Sequence, residues 1–120
     1  MKVIIADDSL VMRNIIQNAI RPMGVEILQA SNGQEVFEQL EKEGSDIGVI
    51  FMDWNMPGMN GFDCLKSLKR NEKYRDIPVL MISTEAEEDK VQMARDAGAK
   101  GYLSKPFTPE KLIKFINDTI

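Results

Sequence analysis

The chain contains no histidine, and this absence removes several classes of chemistry at once. A Ser-His-Asp or Cys-His nucleophile needs an imidazole base, and a histidine metal ligand or a phosphohistidine needs the ring itself. None of these groups can form on this chain. Any chemistry at a functional site must therefore use carboxylates, hydroxyls and lysines.

Cysteine and long apolar runs are also scarce. The single cysteine, Cys64, excludes an internal disulfide and fits a reducing cytoplasm. No apolar run approaches the roughly 20 residues that span a bilayer. The short apolar segment after Met1 meets acidic residues too early for a signal peptide. We therefore expect a cytoplasmic protein that does not insert into a membrane.

Positive charge is in short supply as well. Nineteen acidic residues outnumber fifteen lysines and arginines, which leaves a net charge of -4. Nucleic acid recruits a basic protein face, so it is not expected as a partner. The length of 120 residues suits a single domain with a real core, and no linker or repeat interrupts it. We expect one domain over residues 1–120.

Five apolar runs predict five β-strands. Three of the runs contain the continuous apolar stretches VII, VIFM and VLMI, which are typical of parallel strands buried on both faces. The predicted strands are Val3–Ala6, Val25–Leu28, Ile47–Met52, Val79–Ile82 and Tyr102–Leu103.

Helical spacing of apolar residues fills the segments between these strands. Asn32 and Thr108 are predicted N-caps, Pro109 suits a first helical residue, and Gly98 suits a helix C-terminus. Strands that alternate with helices predict an open, doubly wound α/β sheet. The predicted helices are 10–23, 33–43, 61–71, 86–97 and 109–120. Their apolar residues are expected to face inward: Met12, Ile15, Ile16, Ala19, Ile20, Val36, Phe37, Leu40, Phe62, Leu65, Leu68, Val91, Ala94, Leu112, Ile113, Ile116 and Ile120.

Polar or charged residues follow four of the five predicted strands. Asp7 and Asp8 follow the first strand, and Asp53 follows the third. Ser83 ends the fourth, and Lys105 follows the fifth. Because the carboxyl ends of parallel strands meet at one edge of a sheet, we expect these side chains to share one pocket.

Three carboxylates in one pocket need a cation. Two like charges about 4 Å apart repel by on the order of 4 kcal/mol at an effective dielectric constant near 20. An all-oxygen site without histidine or cysteine suits Mg²⁺ or Mn²⁺. The Lys105 ammonium and the Ser83 hydroxyl suit phosphoryl oxygens, and Asp53 is a candidate nucleophile. The residues predict a Mg²⁺-dependent site that accepts a phosphoryl group.

Each of these residues has an ordinary structural explanation when it is taken alone. Two acidic residues after a strand often begin a helix, and an aspartate before Asn55 and Pro57 can simply form a turn. Ser83 can cap a helix, and Lys105 can be a surface lysine. Their joint placement at successive strand ends favours a shared site.

Four segments resemble the receiver domains of two-component response regulators, and within that family the single-domain chemotaxis regulators of the CheY type. They are ADDS followed by Met12-Arg13, MDWNMPGMNG, PVLMISTEA and GYLSKPFT. Their order and spacing cover essentially the whole chain. The resemblance implies a flavodoxin/CheY-like (βα)5 fold with strand order 2-1-3-4-5 and a receiver domain without an output domain.

The resemblance assigns a role to each residue of the pocket. Asp53 would be the phosphorylation site. Mg²⁺, or Mn²⁺ as a substitute, would bind Asp8, Asp53 and the backbone carbonyl of Asn55 directly, and Asp7 largely through water. Ser83 would contact the phosphoryl group.

Further roles follow from the same resemblance. Lys105 would also contact the phosphoryl group, and the Lys105–Pro106 peptide is expected to be cis. Tyr102 matches an aromatic switch residue, and it can at the same time be a half-buried ring of the core. Asn55 and Glu85 lie where the family places residues that guide attacking water. Thr84 lies where the family usually has the smaller Ala or Gly. Asn55, Thr84 and Glu85 would together tune the lifetime of the phosphoaspartate.

The resemblance also implies partners. The phosphodonor would be a phosphohistidine on a CheA-like sensor histidine kinase, and small phosphodonors such as acetyl phosphate should also work. The signal would leave through the face of the fourth helix, fifth strand and fifth helix towards a flagellar switch protein or another target, with a phosphatase as a further partner. We expect a monomer that is no turnover enzyme but assists its own phosphorylation and dephosphorylation.

Three alternative functions are compatible with this kind of fold. A phosphorelay intermediate, which passes its phosphoryl group to a histidine phosphotransfer protein, uses the same site and cannot be separated from a chemotaxis regulator by sequence. A small phosphatase with an aspartyl-phosphate intermediate usually has a second acid two residues after the nucleophile, where this chain has Asn55. A flavodoxin-like nucleotide carrier would have a Gly/Ser/Thr-rich phosphate loop where this chain has DDSL.

Overall fold

A computed structural model of the chain describes residues 1–43 and 46–119. Strands and helices alternate along it, as the sequence predicts. The elements are β1 (Lys2–Ala6), α1 (Leu10–Ile20), a 3₁₀ turn (Arg21–Met23), β2 (Glu26–Ala30), α2 (Gly33–Glu43), β3 (Ile47–Met52), α3 (Gly61–Arg70), β4 (Val79–Ser83), α4 (Glu88–Asp96), β5 (Gly101–Ser104) and α5 (Pro109–Thr119). Ile120, which we predicted to face inward, lies outside the described residues.

The five strands form one parallel sheet in the order β2-β1-β3-β4-β5, which confirms the expected fold. β1 pairs with β2 on one side and with β3 on the other. The chain order of the strands therefore reverses at β1 and β3. Ligand sites in such sheets lie beyond the carboxyl ends of the strands at this point.

Each face of the sheet carries its own core. One face packs against α2, α3 and α4 through residues such as Ile4, Ile50 and Met81. The other packs against α1 and α5 through residues such as Ile5 and Phe51. Neighbouring residues of a strand point to opposite faces, so a continuous apolar run is what a sheet covered on both sides requires.

The first helix differs from the prediction at its C-terminal end. α1 ends at Ile20, and the next three residues form a tighter 3₁₀ turn. Pro22 has no N–H to continue the α-helical hydrogen bonds. Gly24, with a left-handed φ of 73°, then ends the turn.

Ile15 does not face inward, and that prediction was wrong. Its side chain is 43% exposed, whereas Ile16 and Ile20 are buried and Met12 packs against them. The buried stripe of α1 follows the spacing of these three residues, and Ile15 lies at its border.

The start of the fourth helix also differs. α4 begins at Glu88 instead of Ala86, because the preceding backbone is held by side chains. The Glu85 N–H donates to Ser83 Oγ at 3.1 Å, and the Glu85 carbonyl accepts from the Tyr102 hydroxyl. Glu87, the residue before the helix, still has extended backbone angles.

The other predicted helix signals are confirmed. Asn32 Oδ1 accepts from the Glu35 N–H at 2.8 Å, and Thr108 Oγ1 accepts from the Lys111 N–H at 3.2 Å. Cys64 is buried in α3, and burial raises the pKa of its thiol to about 12, as expected of an inert core residue. Within the described ranges, no helix is both long and apolar enough to cross a bilayer.

Gly61 controls the path of the loop between β3 and α3. A Cβ on Gly61 would lie 1.8 Å from the carbonyl oxygen of Asp53, which is buried backbone. A Cβ on Gly58, in the same loop, would meet nothing within 4 Å, although its φ of 70° is left-handed.

We predict that Gly61→Ala is much more destabilising than Gly58→Ala. The first change forces two backbone segments apart and should cost about 3 kcal/mol of unfolding free energy, as severe overpacking does. The second adds only left-handed strain, about 1 kcal/mol. Urea unfolding of both variants measures the difference, and equal losses would contradict this account of the loop.

Candidate functional site

The sheet places two aspartates side by side at the reversal point of the strand order. Asp7 directly follows β1, and Asp53 directly follows β3. The backbone N–H of Asp53 donates to the Ala6 carbonyl at 2.9 Å, and that of Asp7 donates to the Ala30 carbonyl at 3.0 Å. Both aspartates thus continue the hydrogen bonding of the sheet, which fixes where their side chains begin.

Asp8 joins these two residues from the turn that leads into α1. Carboxylate oxygens of Asp7, Asp8 and Asp53 all lie within 4.8 Å of one another. Asp7 is 2% exposed and Asp53 is 5% exposed, while Asp8 faces solvent. Three oxygen donors at this separation, with no nitrogen or sulfur ligand among them, fit a hard divalent cation such as Mg²⁺.

Lys105 brings a positive charge into this carboxylate cluster. Its Nζ lies 2.6 Å from Asp7 Oδ2 and 3.4 Å from Asp53 Oδ2, and its side chain is 10% exposed. The backbone N–H of Lys105 donates to the Ser83 carbonyl at 2.9 Å, which holds the lysine against the end of β4. The Lys105–Pro106 peptide is cis, as expected. One ammonium group cannot offset three carboxylates, so the cluster keeps an excess of negative charge.

The pKa of Asp53 is higher than that of an ordinary aspartate. Burial is the main cause, and the charge of Asp7 adds to it. Lys105 and the N–H of Asn55, which points at Asp53 Oδ1 from 3.4 Å, act in the opposite direction and are weaker. The surroundings therefore leave the ionised Asp53 short of compensating positive charge.

Ser83 connects this cluster to a half-buried tyrosine. Ser83 is fully buried at the end of β4, and its Oγ accepts from the Glu85 N–H at 3.1 Å. The Glu85 carbonyl accepts from the hydroxyl of Tyr102 on β5. Burial raises the pKa of the Tyr102 hydroxyl. These three residues form one hydrogen-bonded connection from the pocket to β5.

Asn55 and Thr84 lie at the rim of the pocket. Both are exposed, and Asn55 Nδ2 donates to Thr84 Oγ1 at 3.5 Å. The structure thus brings together Asp7, Asp8, Asp53 and Lys105 at the centre of the site. Ser83, Asn55, Thr84, Glu85 and Tyr102 lie around them.

Arg13, which belongs to the first of the four family segments, has a role that the sequence alone does not indicate. Arg13 Nη1 donates to the Asp7 carbonyl at 2.5 Å, and its Nε donates to Gln29 Oε1 at 2.8 Å. The arginine therefore ties the backbone of Asp7 to the edge strand β2. An arginine in the first turns of a helix that starts just after Asp7 was the only signal available for this contact.

Comparisons with known proteins agree on one family. The sequence model of the response regulator receiver domain matches residues 3–117. The chain is 39% identical over 121 residues to a chemotaxis protein CheY homolog of Campylobacter jejuni, and the aligned region covers 100% of this chain and 92% of that protein. It is 42% identical over 113 residues to chemotaxis protein CheY1 of Helicobacter pylori, covering 93% and 90% of the two chains. The solved structure of CheY4 from Vibrio cholerae superposes with a TM-score of 0.88 at 34% identity, covering 99% of this chain and 98% of that one.

The raised pKa of Asp53 predicts how its replacement affects stability. A carboxyl group whose pKa is higher in the folded chain costs stability when it ionises, so the folded protein loses stability as the pH rises through that pKa. Asp53→Asn removes this loss. In EDTA at pH 7 the variant should melt at a higher temperature than the unchanged protein.

The pH dependence distinguishes this cause from a change in packing. The difference in melting temperature should shrink as the pH falls and vanish below about pH 4, where Asp53 is protonated in both the folded and the unfolded chain. Calorimetry across this range measures it. A variant that is less stable than the unchanged protein at pH 7 would contradict the prediction.

Proposed function

The chain belongs to the response regulator receiver domain family, and from this premise we propose that it is a phosphoacceptor switch in which Asp53 accepts the phosphoryl group. The observation that carries the proposal is the cluster of the buried Asp7 and Asp53 and the exposed Asp8, with Lys105 inserted into it. Such a protein is a signalling module and not a classical enzyme. It supplies the groups that assist its own phosphorylation and dephosphorylation.

Mg²⁺ is the proposed cofactor, with Mn²⁺ as a substitute. Asp7, Asp8, Asp53 and the backbone carbonyl of Asn55 would hold the ion. When bound, it would neutralise charge on the transferring group. The acidic excess of the cluster and the raised pKa of Asp53 both support a bound cation.

The proposed reaction is a displacement at phosphorus. A carboxylate oxygen of Asp53 forms a bond to the phosphorus atom while the bond from phosphorus to the donor breaks. The electron pair of that bond leaves with the donor's imidazole nitrogen. Lys105 is close enough to Asp53 to offset charge on the phosphoryl oxygens, and the Ser83 hydroxyl would donate to one of them.

The donor is expected on a separate protein, because the chain has no histidine of its own. Similarity to chemotaxis proteins supports a sensor histidine kinase of the CheA type as the donor. It also supports a flagellar switch protein as the target, with a phosphatase as a further partner. Acetyl phosphate should replace the kinase in the laboratory, since the receiver supplies the reacting groups.

The proposed output face consists of α4, β5 and α5. Phosphorylation adds about two negative charges beside Ser83. The hydrogen-bonded connection through Glu85 would carry the resulting shift to Tyr102 on β5. At the rim, Asn55, Thr84 and Glu85 would tune how long the phosphoaspartate survives, because they border the path by which water reaches it.

We predict that acetyl phosphate with Mg²⁺ adds one phosphoryl group to the protein and that Asp53→Asn abolishes the reaction, since the accepting oxygen is lost. Intact-mass measurement follows the product. Asp63→Asn is the matched control, because it removes an exposed carboxylate of α3 outside the cluster and should leave labelling unchanged. Full labelling of Asp53→Asn would reject the assignment of the phosphorylation site.

A second prediction concerns the cation alone. Millimolar Mg²⁺ should raise the melting temperature, because a ligand at 100 times its Kd stabilises the folded state by about 2.7 kcal/mol. It should also change the emission of Trp54, the sole tryptophan and the neighbour of Asp53. Asp8→Asn should weaken both effects. KCl at equal ionic strength is the control, and equal responses to both salts would argue against a specific metal site.

A further inference from the structure

An open cleft of about 550 Å³ borders the carboxylate cluster at Asp8. Its walls include Trp54 and Asn55, the two residues after Asp53, and Asp8 from the carboxylate cluster. Two acidic residues line it, Asp8 and Glu85. Among its lining residues, all within the described ranges, Lys90 is the only basic one.

Two contacts hold the Lys90 ammonium group at this cleft. Its Nζ lies 3.7 Å from Glu85 Oε2 and 5.0 Å from the centre of the Trp54 ring, within the range of a cation–π contact. Trp54 is itself fixed, because it is buried and stacks on Phe62 with ring centres 4.7 Å apart and planes 3° apart. Although Lys90 is 37% exposed, its charge is therefore localised at the cleft.

Glu85 is localised as well. Its backbone N–H is bound by Ser83 Oγ and its carbonyl by the Tyr102 hydroxyl, so its side chain has a fixed starting point at the cleft. Its carboxylate is 28% exposed. We call Lys90 and Glu85 the rim pair.

The charge of the rim pair matters for whatever approaches Asp53. Small phosphodonors are anions, and a cleft lined by Asp8 and Glu85 alone would repel them. The Lys90 ammonium offsets the charge of Glu85 where the donor must pass. An exposed ion pair contributes little to stability, but charges that line a cleft change the rate at which a charged ligand associates.

We propose that Lys90 is a specificity-determining residue for the phosphodonor: by offsetting Glu85 at the cleft, it lets anionic small phosphodonors reach Asp53. The inference rests on the proposed function and adds a determinant of donor choice to it. Lys90 takes no part in the transfer of the phosphoryl group itself. It should therefore favour donors in proportion to their negative charge and leave the attack of neutral water on the phosphoaspartate unchanged.

The chain provides a closely matched control. Lys66 lies 4.7 Å from the centre of the Phe62 ring and 3.6 Å from Asp63 Oδ1, and its side chain is 38% exposed. It thus has the same two kinds of contact and the same exposure as Lys90. It does not line the cleft. Lys66→Met and Lys90→Met remove the same charge from two lysines of nearly equal exposure.

The main experiment compares the rate constants of phosphorylation by acetyl phosphate in saturating Mg²⁺ at low ionic strength, followed by intact mass. Lys90→Met should lower the second-order rate constant by about threefold to tenfold, at the lower end of electrostatic rate effects in clefts. Lys66→Met should leave it unchanged. Lys90→Arg should react at the rate of the unchanged protein. Adding Glu85→Gln to Lys90→Met should restore that rate.

Further readouts separate an electrostatic role from a structural one. The effect of Lys90→Met should shrink in about 1 M salt, where the Debye length is about 3 Å. It should be smaller with phosphoramidate, whose protonated nitrogen lowers its net negative charge. Hydrolysis of the phosphoaspartate should keep its rate. Trp54 emission should change in Lys90→Met and not in Lys66→Met, and equal melting temperatures would show that both variants fold.

The possible results distinguish a failure of this inference from a failure of the proposed function. Equal rates in Lys90→Met and Lys66→Met, or an effect of Lys90→Met that is insensitive to salt and to donor charge, would overturn the inference. So would a change in hydrolysis as large as the change in phosphorylation. In each of these cases normal labelling of the unchanged protein keeps the proposed function intact. If the unchanged protein is not labelled on Asp53, the proposed function fails, and this inference fails with it.

Discussion

The repulsion between buried carboxylates is the constraint on which this structure depends. Asp7 and Asp53 are almost fully buried, and their oxygens lie within a few ångströms of each other and of Asp8. Left free, such groups would move apart or take up protons. A pair of like charges costs on the order of 4 kcal/mol at this kind of distance, and burying one Leu or Ile side chain contributes about 1.5–3 kcal/mol. The apolar strands that precede these aspartates can therefore hold the cluster together.

The same constraint explains why the site can respond to charge. Lys105 compensates the cluster only in part, so an added cation or phosphoryl group acts on groups whose charges are already poorly balanced. Ser83 lies at the strand end next to them, and both backbone groups of Glu85 are engaged, one by Ser83 and one by Tyr102. In the proposed switch, a shift of Ser83 cannot occur without disturbing one of these hydrogen bonds. A change of charge at Asp53 then has a direct route to β5.

The buried parts of the molecule could be predicted from the sequence, and the parts that depend on loop paths could not. Continuous apolar runs identified the strands because every residue of such a strand is buried on one face or the other, and the residue after each run located the acids of the site. The strand order came from the family resemblance, since apolar patterns do not encode which strands are neighbours.

Ile15 was misplaced because helical spacing alone does not say where a buried stripe ends. The late start of α4 was missed because it depends on two hydrogen bonds at Glu85, one with the nearby Ser83 and one with Tyr102, which reaches Glu85 only when the chain folds.

Lys66 and Lys90 show why the residues that line the cleft could not be predicted from the sequence. Each lysine lies over an aromatic ring, each is near one acidic side chain, and their exposures are almost equal. Local contacts therefore cannot distinguish them. Their positions relative to the cleft do differ, and that difference arises because Trp54, the residue after Asp53, stacks on Phe62 in α3 and faces Lys90 of α4. In the proposed role, packing gives a lysine an influence on donor choice by placing it at the cleft, so residues around the carboxylate cluster act together with those of the site on what can approach it.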